Sequence, residues 1–181
     1  MSMTTFIRAL ALVAAGILAV HSGASTARAE QQDSQAYLHW AKFKPGSTAT
    51  MTGEADNGGQ KVKLDMTNTL VEVTKEKIVL EATSTYSFAG KEQKSPPRKR
   101  DVAAREEKKS EIKELGEEEI EAAGKKFKCK VIEGEGEGAG GAAKAKAKIW
   151  ISEEVPGGAV KMILTGDKGT MTFTLKSFEV K

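Results

Sequence analysis

The chain has 181 residues and a formal charge of +3, from 28 basic and 25 acidic side chains. Hydrophobic residues make up 39% and charged residues 29%, enough apolar material for one core and too much charge for a multi-span membrane protein. The single cysteine, Cys129, excludes an internal disulfide and a cysteine-built zinc site.

Residues 1–29 read as a cleaved signal peptide. Arg8 supplies the positive start. Ala9 to Val20 is an apolar run of twelve, and Ala27-Arg28-Ala29 fits the small-x-small cleavage pattern. A bilayer span takes about 20 residues, so the run is too short to cross. Loss of Arg8 and Arg28 leaves 26 basic against 25 acidic residues. The bulk positive field that draws proteins to nucleic acid is then absent. The expected location is periplasmic or secreted, and residues 30–181 are expected to form a single β-rich domain.

The mature chain opens on an aromatic segment, Ala36 to Phe43, which holds its one histidine, His39. Ser47–Thr52 reads as a short strand, and Asp56-Asn57-Gly58-Gly59 as a turn. In Gln60–Leu70, Val62, Leu64, Met66 and Leu70 share one face, opposite Lys61, Lys63, Asp65 and Thr67. In Ile78–Phe88, Ile78, Leu80, Ala82, Tyr86 and Phe88 align against Glu81, Thr83 and Thr85. This period of two marks half-buried antiparallel strands. Val71 and Val73 break the parity set by Leu70, which predicts a bulge or a strand end there.

Lys91–Glu114 holds nine basic and six acidic residues, with Pro96-Pro97 early on. It reads as a charged insertion, either a solvated loop or a short helix near 101–115. A second hairpin turns at Ala123-Gly124. Its register sets Ile120 against Phe127, with Glu121, Glu119 and Glu117 facing Lys126, Lys128 and Lys130. Glu133–Gly141 is low in complexity and reads as a Gly/Glu-rich loop. Lys144 to Ile151 alternates, as do Val160, Met162 and Leu164. Gly166 to Gly169 is a turn, and Met171, Phe173 and Leu175 continue beyond it.

Chemistry is sparse. One histidine and no G-x-S-x-G give no nucleophilic triad, so no catalytic residue is assigned. Gly136 to Gly141 matches G-x-G-x-x-G in letters only. No βαβ unit surrounds it, and Glu133, Glu135 and Glu137 would repel phosphate. No cofactor and no metal is expected, and the chain is read as non-enzymatic.

Trp150-Ile-Ser-Glu-Glu-Val-Pro-Gly-Gly-Ala-Val-Lys161, with Gly124 to Cys129 and Trp40 to Gly46, resembles a group of uncharacterised exported bacterial proteins. They share a W-x-S-x-x-V-P-G-G-x-V-K turn. That group is similar, more distantly, to the LolA/LolB-type periplasmic lipoprotein-carrier fold. The resemblance implies an antiparallel sheet curled into a half-barrel with an apolar concave face. The carrier's gating arginine has no placed counterpart in this sequence. Read as a turn, Pro156 presets φ and Gly157 permits a positive one.

The expected fold is all-β: a single curved antiparallel sheet, or half-open barrel, of about eight strands. Such a face can hold a hydrophobic or lipid ligand. The candidate lining from the first half is Leu64, Met66, Leu80 and Tyr86. Phe127, Met162, Met171 and Phe173 complete it. The same alternation would also build a filled core in an envelope structural or protein-interaction module, and the pattern leaves both open.

Overall fold

The computed structural model describes residues 31–57, 60–88, 90–107, 112–138, 142–166 and 169–181. The segment read as a signal peptide lies outside them, as do the centres of the turns at 58–59 and 167–168.

Twelve strands and one helix make up the described chain. They are β1 (Gln31–Asp33), α1 (Gln35–Trp40), β2 (Thr48–Asn57), β3 (Gln60–Val73), β4 (Lys77–Phe88), β5 (Lys91–Lys94), β6 (Arg98–Ala103), β7 (Arg105–Glu107), β8 (Ile112–Ala122), β9 (Lys125–Gly138), β10 (Ala142–Ile151), β11 (Ala159–Gly166) and β12 (Gly169–Glu179). β1 and β7 form a small two-stranded ladder. The other ten strands form one antiparallel sheet in the order β5-β4-β3-β2-β12-β11-β10-β9-β8, with β6 also pairing β4. The sheet is open, as expected, and built of more strands than the sequence pattern indicated.

Three sequence expectations hold in detail. The register of β3 on β4 slips between Leu70 and Glu72, where the parity of the apolar residues breaks. The β8–β9 hairpin pairs Ala122 with Lys125 and Ile120 with Phe127. It sets Glu121, Glu119 and Glu117 against Lys126, Lys128 and Lys130. Ala123 and Gly124 both take positive φ, 49° and 76°, as a tight hairpin turn requires.

Two expectations are corrected. Among its described residues the charged insertion forms no helix, and residues 108–111 lie outside them. Most of its described residues are strand, and β5 and β6 line the edge of the sheet beside β4. An edge strand with charges on both faces has no hydropathy period to show. The Gly/Glu-rich segment is likewise strand as far as Gly138. Glu133, Gly134, Glu135 and Gly136 pair with Lys148, Ala147, Lys146 and Ala145. Acids that alternate with glycine give a period of two in charge rather than in hydropathy.

The pairing register puts Met162, Phe173, Gly53, Leu64 and Tyr86 in one row across β11, β12, β2, β3 and β4. The matching row on the other face is Lys161, Thr174, Thr52, Asp65 and Thr85. The first face is therefore apolar and the second polar. On β9 the assignment reverses. Val131 stands opposite Trp150 and so continues the second face, yet Phe127, Cys129 and Val131 are buried while Lys126, Lys128 and Lys130 are exposed. Neighbouring strands twist by about 20–25°. Over the eight steps of this order that rotation approaches a half turn, so the face turned inward at β4 is turned outward at β8. Curling is equally marked. The rings of Phe127 on β9 and Phe178 on β12 meet edge to face at 5.9 Å, although three strand spacings in a flat sheet would span about 14 Å.

At the centre, the Phe173 ring lies flat on Gly53. A Cβ added there would come within 2.5 Å of it, so the glycine supplies the space for the ring. Phe173 and Leu64 are fully buried beside each other. Substitution Gly53→Ala should overpack this row at a cost of about 1–3 kcal/mol. A lowered urea midpoint at unchanged slope is the expected reading, with partial recovery when Phe173→Leu is added.

Candidate functional site

The apolar face is built by alternation on five strands. Its floor is closed: Leu64, Leu80 and Phe173 are fully buried, and Tyr86 and Met51 nearly so. Elsewhere on the face Met66, Met162, Met171 and Ile149 are packed against the core but still partly exposed. Met66 faces Met51 across β2–β3, Met162 faces both Phe173 and Ile149, and Met171 faces Leu164. Unbranched thioethers adapt to irregular partners better than branched side chains do.

By register, seven of the eight residues singled out in the sequence share this face: Leu64, Met66, Leu80, Tyr86, Met162, Met171 and Phe173. Phe127 sits apart. Its parity belongs to the opposite face of β9, and it joins the core through Phe178. A cleft of about 310 Å³ lies elsewhere, between Lys113, Glu133, Gly134, Glu135 and Lys146. It is lined by charge, and Lys146 bridges Glu133 at 3.0 Å.

The C-terminal turn motif seats the helix at one end of this face. Gly158 N–H donates to the Val155 carbonyl at 2.8 Å, and Gly157 has φ of 79°. With Pro156 before it, that is a type II turn. Gly157 approaches the Trp40 indole so closely that a Cβ would fall 2.5 Å from its Nε1. The Gly157 N–H also donates to the His39 carbonyl at 3.2 Å. The helix is tied twice more: Tyr37 Oη donates to the Thr74 carbonyl at 2.7 Å, and the Ser34 N–H donates to the Ala104 carbonyl at 2.9 Å. His39 is half-buried against Gly158, and burial lowers its pKa. Its placement is that of a packing residue in the last turn of α1.

Trp150 is nearly buried on the second face. Its indole N–H donates to Glu118 at 2.7 Å, while the ammonium groups of Lys148 and Lys161 lie 4.6 and 4.9 Å from its ring. Glu118, from β8 two strands away, and two cations cover it. The bond from Trp150, with the charge of Lys148, holds the Glu118 carboxyl below its ordinary value. Cys129 is 1% exposed, and burial together with the nearby Glu118 and Glu154 charges pushes its thiol up to about 11. Among the described residues no three His, Cys, Asp or Glu side chains gather as metal ligands, and no helix is long and apolar enough to cross a membrane.

No family model and no curated protein matches the chain. Solved structures do. An exported protein with a YmcC-like fold from Bacteroides fragilis is 10% identical, covering 76% of this chain and 97% of its own, with a TM-score of 0.46. The lipoprotein LppX of Mycobacterium tuberculosis is 14% identical over 81% of this chain and 94% of its own, with a TM-score of 0.41. An outer membrane lipoprotein-sorting protein domain from Vibrio parahaemolyticus is 13% identical over 75% and 85%, with a TM-score of 0.31. Each is a distant likeness.

Two outcomes test this environment. The thiol of Cys129 should stay inert to a disulfide reagent at pH 8 in the native protein and react at the rate of a free thiol in denaturant. A folded pKa below the unfolded one means that Glu118 stabilises the fold at neutral pH and loses that effect as pH falls through its folded value, below the ordinary 4.5. In a Trp40→Phe background, Trp150 fluorescence should change in that acid range, and the change should vanish on Glu118→Gln.

Proposed function

We propose that this chain is an exported, non-enzymatic binding module that holds a hydrophobic or lipid ligand on the apolar face of its curled sheet. One observation supports the reading most: on the same face as the fully buried Leu64, Leu80 and Phe173, Ile149 and its partner Met162, together with Met171 and Met66, are apolar and only partly covered. A finished core would cover these side chains as it covers their neighbours. Binding there covers the methionines and leaves the floor intact, so the ligand lies against a surface rather than inside a dry cavity. The signal-like N-terminus supports a periplasmic or secreted site of action.

A second reading, an envelope structural or protein-interaction module, draws on the edge strand β8. There Ile112 and Leu115 are 49% and 42% exposed on a strand that is the sheet's edge among the described residues, a position that favours strand addition.

Native mass spectrometry of gently purified protein, followed by solvent extraction, separates the two. The binding module should carry an apolar adduct. Substitution Met162→Glu should reduce its retention by about tenfold or more with little loss of stability, since the side chain is half-exposed. A consistently empty protein overturns the first reading.

A further inference from the structure

The edge strands β5 and β6 sort their charges by face. Lys91, Arg98 and Arg100 stand opposite Phe88, Ala82 and Leu80, and so belong to the apolar face. Glu92 and Asp101 stand opposite Ser87 and Val79, on the polar face, where Asp101 is paired with Lys77 at 2.5 Å. The strands further in sort their acids the same way. Glu54, Asp65, Glu72 and Glu81 all fall on the polar face by register.

Arg100 is consequently a cation on an apolar surface without an acid beside it. Its Nε is buried and has no hydrogen-bond partner, and it forms no salt bridge among the described residues. Burial lowers its pKa from the ordinary arginine value, but a guanidinium remains charged in a protein. Burying a guanidinium nitrogen without an acceptor is unfavourable, and an anion brought by a ligand would offset that cost. Tyr86, on the same face, also buries a hydroxyl with no partner.

We propose that Arg100, with Arg98 beside it at the rim, is the headgroup anchor of the apolar face, and that the ligand is therefore an anionic amphiphile: one carboxylate or phosphate on a long apolar tail. The inference rests on the reading of that face as a ligand surface and names the chemistry of the ligand. The tail lies along the methionines, and the headgroup accepts hydrogen bonds from the guanidinium at the β6 edge. Charge-assisted bonds of this kind are about twice as strong as neutral ones, so the charge decides which amphiphile is held.

The test compares a fluorescent long-chain fatty acid with the alcohol of the same chain length. Wild-type protein should bind the acid about tenfold more tightly or better. Arg100→Gln should bring the two affinities together by weakening the acid alone, and Arg100→Lys should keep part of the preference. Equal affinity of acid and alcohol for the wild type overturns the proposal and leaves the apolar site standing. So does an equal loss of both ligands in Arg100→Gln. Binding of neither probe overturns the apolar site and its anchor together. If Arg100→Gln does not fold, the wild-type ratio decides, and the exposed Arg98→Gln should lower that ratio without altering the alcohol.

Discussion

A β-ladder transmits parity. Once Phe173 stands opposite Gly53, every residue of β2 and β12 has its face assigned, and each further ladder passes the assignment on. Five strands then deliver methionine, leucine and aromatic side chains to one surface and threonine, lysine and acids to the other. The contact that anchors the scheme is unforgiving, because the ring occupies the volume of the missing side chain. A slip by one residue would place Asp65 and Thr52 under Phe173 and expose Leu64. Twist and the slips at Leu70–Glu72, Glu114–Gly116 and Leu175–Ser177 bend this plan without changing its logic.

Much of the arrangement is legible in the amino acids because the two faces differ in hydropathy. The alternation in β3, β4, β11 and β12, the parity break after Leu70 and the charge ladder of the β8–β9 hairpin all follow from a period of two. The turn at Val155 to Gly158 follows from the chemistry of proline and glycine. Where both faces of a strand are polar, the signal disappears. β5 and β6 carry charge at nearly every position, and the upper part of β9 alternates glutamate with glycine. Arg100 was hidden for the same reason: within Arg98-Lys99-Arg100 nothing distinguishes the middle residue from its neighbours until pairing with Leu80 and Glu81 shows which face each one joins. The reversed role of β9 is also beyond local reading, since it arises from rotation summed over the whole sheet.

The turn motif has a structural task that its letters alone do not announce. Gly157 is shaped to the Trp40 indole, and its amide is bonded to the His39 carbonyl. A six-residue helix is too short to persist alone. Clamped by this turn, by Thr74 and by Ala104, it closes the end of the sheet where β4 begins and β12 finishes. Trp150, which opens the motif, works on the far surface and joins β10 to β8 through Glu118. The motif therefore ties both sides of the sheet at one latitude.

The two open borders of the sheet are guarded differently. Pro96-Pro97 cuts one border into the short pieces β5 and β6, and proline offers no amide hydrogen to a newcomer. On the other border, the run Glu117-Glu118-Glu119 would meet its own negative charge if two molecules aligned there. In a protein with so much ribbon and so little helix, both devices work against the pairing of like edges from two copies.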